Sequence, residues 1–275
     1  MDERLHKLLA QHGIGSRRQV ESWIAEGRVL VNGRPAVVGQ RVRPSDRVSV
    51  DGRDVTKRLS ATQALRVIVY HKPSGEMSKR QAGDERAGVD TRLPSLHAGR
   101  WLPVNALGYG EDGLLILTSD GSLASSVARR AAELPVEYRV RALRPRAADE
   151  WPPLPREVEV DGALVTFAAV ERLEGGPTNA WFKVSADRTV PRGAVRALFD
   201  AAGLKVSRVM LVRWGPVTLP RDLPRGRSRD LAGAELDALL SLVAGPGTQG
   251  ATRGRPHRSA RRPKRSAPAR RNGGR

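Results

Sequence analysis

A chain of 275 residues with a formal net charge of +19 and a pI near 11.4 has room for one large domain and a small one. Its charge calls for a polyanionic partner, of which nucleic acid is the commonest soluble kind. The absence of cysteine excludes a disulfide framework and a thiolate metal site. No apolar run approaches the roughly 20 residues that span a bilayer, and the N-terminus MDERLHKLLAQ carries acids and lacks a signal-peptide core, so the expected setting is the cytoplasm.

In chain order, Leu5, Leu8 and Leu9 stand at helical spacing, and Gly13 closes that segment as a helix cap. Ser16 then caps a second helix, RRQVESWIAEG, with Val20, Trp23 and Ile24 on one face and Arg17 and Arg18 in the first turn. Cations there oppose the helix dipole by about a few tenths of a kcal/mol, which suggests that the two arginines serve a partner. After Gly27 the pattern predicts short strands at 28–31, 37–38 and 47–50, with Asn32-Gly33 as a hairpin turn. Residues 51–64 show no sustained apolar period and read as a linker.

A strand is expected over 65–70, running into the turn His71-Lys72-Pro73-Ser74-Gly75, and residues 76–100 read as a long surface loop. Residues 104–121, VNALGYGEDGLLILTSDG, organise the rest of the chain. Their apolar run 114–117 is bounded by turn residues and too short for a helix, so it reads as a buried strand that displays its preceding loop. Asp120 caps a helix over 121–132, and EYRVRAL at 137–143 alternates like a half-buried strand. Further strands are predicted at 158–160, 164–170, 181–184 and 206–214, with helices at 192–202 and 236–243. Ten of the surplus positive charges fall in 245–275, a stretch without acids and rich in Gly, Pro, Arg and Ser; that composition predicts a disordered basic tail.

The run RLHKLLAQHGIGSRRQVESWIAEGRVLVNG resembles the small RNA-binding domain first seen in ribosomal protein S-four. The likeness implies recognition of structured RNA through Lys7, Ser16, Arg17, Arg18, Arg28 and Asn32. A cluster of that kind contacts phosphates and shape, not base sequence. An ordinary solvated basic face is the alternative for the arginines alone.

The order HKPSG, then LLILTSDG, then EYRVRAL, then VSRVMLVRWGPVTLPRDLPRG resembles the RsuA/RluB family of ribosomal RNA pseudouridine synthases, over about residues 3–231. The resemblance implies an α+β fold. A small S-four-like domain at 1–51 and a linker at 52–64 would precede a large domain at 65–244, built on a mixed, mostly antiparallel sheet flanked by helices. The tail at 245–275 comes last. The implied reaction turns uridine into pseudouridine with no metal or cofactor and with rRNA as partner; the chain is expected to be a monomer that engages no membrane.

That chemistry needs a carboxylate to attack or stabilise the nucleotide, an aromatic to hold the extruded base, and a cation to keep the carboxylate ionised. Where the family carries Gly-Arg-Leu-Asp, this chain has Asn105-Ala106-Leu107-Gly108. The nucleophile position is therefore Gly108, and the neighbouring arginine position is Ala106. Tyr138 matches the stacking tyrosine and Arg196 the basic partner of the acid, while the turn 188–194 departs from the family's polar pattern.

Whether the chain is an enzyme is left open by these losses. One reading is an RNA-binding relative with catalysis weakened or lost; the other is an active synthase using a relocated carboxylate, Glu111 or Asp112. An extended strand would place those acids up to ~13 Å along the chain, and a tight turn would shorten that. Lys72 faces either RNA or water. His71 and His97, without sequence partners, read as surface or packing groups. A DNA-binding protein is the weakest reading, since no groove-reading helix is apparent.

Overall fold

Helix α1 (Leu5–Gln11) and helix α2 (Arg17–Ala25) come after the short strand β1 (Glu3–Arg4). The apolar spacing behaves as the sequence predicts: Leu5, Leu9, Val20 and Ile24 are buried. Ser16 starts α2 with a capping box, its hydroxyl accepting from the Gln19 N–H while the Gln19 side chain accepts from the Ser16 N–H. The strands β2 (Val29–Val31), β3 (Arg34–Pro35), β4 (Arg41–Val42), β5 (Val48–Val50) and β6 (Arg53–Asp54) come next. Of these β3-β2-β5-β6 form one antiparallel sheet, and β4 pairs with β1. Val29, Val31, Val42, Val48 and Val50 close a small core with the two helices. The computed structural model describes residues 2–60, 64–79, 85–96, 99–144 and 150–243.

Two expectations fail in this first part. Val37 and Val38 are not a strand but lie 65% and 62% exposed in a turn, where the Gln40 side chain accepts the Val37 N–H; the hairpin closes on Arg34–Pro35 instead. The expected linker at 52–64 is structured over much of its length. Strand β6 pairs with β5, helix α3 (Thr56–Leu59) comes after it, and Val55 and Leu59 pack on the small core. The Thr56 hydroxyl accepts the Val48 N–H, which ties the segment down without any long apolar period for a sequence reading to detect.

The larger part begins with β7 (Val67–Lys72) and continues through β8 (Leu102–Pro103), β9 (Asp112–Thr118), α4 (Gly121–Arg130) and β10 (Val136–Leu143). A hairpin of β11 (Glu157–Val160) and β12 (Ala163–Thr166) leads to β13 (Ala169–Gly175), β14 (Asn179–Ala186) and α5 (Ala194–Asp200). The long strand β15 (Lys205–Trp214), then β16 (Val217–Thr218), β17 (Ser228–Asp230) and α6 (Gly233–Ser241) complete it. The main sheet runs β13-β14-β10-β15-β9-β7-β17, with β16 on β15 and β8 on β9. Every pairing is antiparallel except β15 with β9. The fold is α+β, a mixed and mostly antiparallel sheet flanked by helices.

Strand β9 sits in the middle of this sheet and is buried along its whole length, as a continuous apolar run requires. Its parallel contact with β15 is close. Gly113 has φ +112°, and a Cβ placed there would meet the backbone carbonyl and nitrogen of Leu211. Asp120 caps α4 through the Ser122 and Leu123 N–H groups, as its sequence position predicts.

The expected single strand over 164–170 is two, β12 and β13, because Phe167 turns into the core between them. The expected surface loop 76–100 holds a 3₁₀ turn at Val89–Thr91 and a bridge between Met77 and Gly88. The buried Glu76 accepts from the Tyr70 hydroxyl at 2.7 Å and pairs with Arg92 at 3.3 Å. His97 and the expected disordered tail at 245–275 lie outside the described residues.

Candidate functional site

The loop from 104 to 111 is anchored on several sides. The Val104 N–H donates to Ile116 C=O, and the buried Asn105 side chain bonds both ways to β9, donating to Leu114 C=O and accepting the Ile116 N–H. Asn105 thus stands in for a missing stretch of strand. The Ser78 hydroxyl donates to Leu107 C=O, the Gly75 N–H to Tyr109 C=O, and the Lys72 ammonium to Glu111 C=O at 2.7 Å. Each buried carbonyl or N–H so paired avoids a desolvation cost of about 1–3 kcal/mol, and together the bonds fix the loop's shape.

At its end the loop turns on itself. The Glu111 N–H donates to Gly108 C=O at 3.3 Å, and the Gly108 N–H donates to the Glu111 carboxylate at 2.5 Å. A side chain on Gly108 would begin 3.2 Å from Glu111 Oε2 and 3.6 Å from Arg192 Nε. An acid and a guanidinium therefore converge on the space beside the glycine.

That space opens into a cavity of about 640 Å³, within the usual range of roughly 300–1,000 Å³ for small-molecule sites. It is lined by Ala106, Gly108 and Glu111 of the loop, by Tyr138 on β10 and Leu211 and Trp214 on β15, and by Thr189, Arg192, Val195 and Arg196. Burial raises the Tyr138 phenol, and the charge of Glu111 raises it further, so the ring stays neutral at physiological pH. The Thr189 hydroxyl donates to Ala131 C=O at 2.7 Å, which holds the turn before α5 against the end of α4. The Arg196 guanidinium donates to Val206 C=O at 3.1 Å. Among the described residues no ion pair joins Glu111 to Arg196 or Arg192, and Glu111 is the only carboxylate on the cavity wall.

Gly108, Glu111, Tyr138 and Arg196 all line the cavity, whereas Asp112 and Lys72 do not. Asp112 is not among the residues that line the cavity, is buried, and is held by Arg208 at 2.6 Å; burial pushes its carboxyl up against the pull of that guanidinium. That placement does not favour it as the relocated acid. Lys72 is 0% exposed, where the sequence reading expected a lysine open to RNA or water. Its ammonium is spent on the Pro73 and Glu111 carbonyls, and burial lowers its pKa against the opposing charges of Glu76, Glu111 and Asp112. His71 is a packing group, with Nδ1 2.8 Å from Leu223 O.

In the N-terminal part, Arg17 and Arg18 are exposed on the first turn of α2. Lys7 pairs with Glu3 at 2.9 Å. Arg28 is engaged by Asp51 through two hydrogen bonds and by Glu26, and lies over the Trp23 ring. Asn32 has φ +52°, and its side chain bridges the Asp46 carboxylate and the Arg47 N–H. Ser16, Arg28 and Asn32 therefore shape the surface, and Arg17 and Arg18 project from it. Arg192 carries no sequence signal of its own; only its place in the divergent turn before α5 could have drawn attention to it.

The family model of the S4 domain matches residues 3–56. Among curated proteins, the ribosomal large subunit pseudouridine synthase B of Pseudomonas aeruginosa is 38% identical over 266 residues, covering 94% of this chain and 69% of the relative. The protein of the same description from Salmonella typhimurium is 37% identical, covering 90% and 85%. A third, from Xanthomonas campestris, is 39% identical, and the chain spans 49% of its length. A solved structure described as a pseudouridylate synthase aligns with a TM-score of 0.48 and 20% identity over 86% of this chain and 99% of that one.

Proposed function

Because the chain belongs to the RsuA/RluB family of ribosomal RNA pseudouridine synthases, we propose that it binds structured rRNA and receives an extruded uridine in the cavity, with isomerisation weakened or lost. The S4 domain would supply the phosphate and shape contacts through Arg17 and Arg18. A uracil entering the cavity would lie against Tyr138, since an enzyme or relative that handles a base must take it out of its stack.

One observation supports weakened or lost catalysis. Position 108 has no side chain, and the carboxylate that fills its space is bonded to the Gly108 N–H, with no arginine among the described residues in ion-pair contact. A nucleophile must be free to approach the sugar or base and is activated by its neighbours. Glu111 is instead part of the turn. Losing a nucleophile leaves only what binding and electrostatics supply, many orders of magnitude less. The test is chemical mapping of pseudouridine in rRNA from cells with and without the gene. An unchanged map is expected, and a pseudouridine that disappears on deletion would overturn the reading.

A second reading rests on the same geometry. Glu111 Oε2 lies 3.2 Å from where the side chain at 108 would begin, close to the volume an aspartate carboxyl there would occupy. If Glu111 acts as the relocated acid, purified protein forms pseudouridine, and Glu111→Gln abolishes it without loss of RNA binding.

A further inference from the structure

Two arginines line the cavity, and they differ in what they do. Arg196 donates one hydrogen bond, to Val206 C=O. Arg192 is exposed and has neither an ion pair nor a side-chain hydrogen bond among the described residues, yet its Nε lies 3.6 Å from where a side chain on Gly108 would begin. Its backbone is held between Pro191 and Gly193 (φ +88°), in a turn that Thr189 fastens to the end of α4. An arginine on a fixed turn loses less freedom on binding than one on a mobile loop, and its planar fork matches the oxygens of a phosphate. Facing it, Ala106 contributes no charge and the Glu111 carboxylate is bonded to its own turn.

We infer that Arg192 holds a backbone phosphate of the RNA at the mouth of the cavity, beside the nucleotide that enters it. This rests on the proposed binding of RNA and adds the residue that positions the strand. The guanidinium would donate through its outer nitrogens on the side away from Glu111, so that the phosphate and the carboxylate do not share one space. Charge-assisted contacts of this kind are stronger than neutral ones, and each phosphate neutralised releases condensed counterions.

The experiment measures binding of the full chain to unmodified large-subunit rRNA transcribed in vitro, from about 50 to 200 mM salt, with wild type, Arg192→Gln and Arg192→Lys. Thermal unfolding confirms that each variant is folded. Arg192→Gln is expected to weaken binding by about tenfold at the upper salt concentration and to make the slope of log K against log salt shallower by about 0.7–0.9. Arg192→Lys should keep the slope and recover only part of the affinity, because an ammonium cannot make the forked contact. A surface arginine with a merely structural role would leave the slope unmoved. Wild-type binding with the same affinity and slope in Arg192→Gln overturns the inference alone. Failure of the wild-type chain to bind this RNA overturns the RNA-binding reading and the inference with it.

Discussion

The Glu111 carboxylate accepts the Gly108 N–H at 2.5 Å and lies 3.2 Å from where a side chain on that glycine would begin. The two residues are therefore alternatives for one space. Restoring an aspartate at 108 would set two carboxylates against each other, a situation in which one of them takes up a proton. Gly108→Asp is expected to destabilise the protein by about 1–2 kcal/mol at neutral pH, and adding Glu111→Gln should recover most of that loss. A carboxyl whose folded-state pKa is raised binds more protons folded than unfolded, so the single variant should gain stability as pH falls through that raised value. Urea denaturation at several pH values measures both effects, and equal stability of wild type and Gly108→Asp would show that the loop rearranges freely.

Lys72 is the support beneath this turn. Lys72→Met removes the donor to the Glu111 and Pro73 carbonyls while keeping most of the buried volume. A charge-assisted hydrogen bond contributes about 1.5–3 kcal/mol, so a loss of about 2 kcal/mol is expected. Faster amide exchange at Gly75 and Gly108, whose N–H groups close the same loop, should accompany it. Unchanged exchange would mean that the loop does not depend on the lysine.

Gly113 allows β15 to lie parallel against β9. With φ +112° and the Leu211 backbone in the space a Cβ would take, Gly113→Ala combines backbone strain with a clash that rigid strands cannot relieve. A destabilisation of more than about 4 kcal/mol is expected, observable as loss of the cooperative thermal transition. A soluble variant melting near the wild-type temperature would contradict the close strand contact.

In the N-terminal part, Asp54 is held by Thr56, through its side chain and its N–H, and by Arg47, which together lower its pKa to about 2. A depressed carboxyl contributes stability that is present above the ordinary value of 3.8 and is lost as pH falls through about 2. Thr56→Val should bring the carboxyl back towards the ordinary range. Carbon-detected titration of Asp54 in both proteins checks the shift, and an ordinary value in the wild type would remove this anchor from the segment after β5.

Local signals made much of this fold readable. The apolar run of β9, the capping positions of Ser16 and Asp120, and the alternation of β10 depend on neighbouring residues. The glycine at 108 and the tyrosine at 138 were legible because the surrounding segments occur in a recognisable order. Features that depend on distant partners were not. A lysine is rarely fully buried, and the carbonyl that Lys72 serves lies 39 positions away. Asp112 meets Arg208 96 positions away. An extended strand would hold Glu111 far from residue 108, whereas the chain turns back and the two bond directly. Arg192 stands in a turn with no periodicity at all, and only the packing of α4 against that turn brings it to the cavity.

On the proposed function, the cavity accepts RNA without the carboxylate that the family carries at position 108. Purified protein in excess over unmodified large-subunit rRNA, incubated through a single turnover and then subjected to chemical mapping of pseudouridine, tests this most directly. The expected result is RNA binding with no pseudouridine formed by wild type. Stoichiometric pseudouridine at a defined site, lost in Glu111→Gln, would contradict it and make Glu111 the relocated acid.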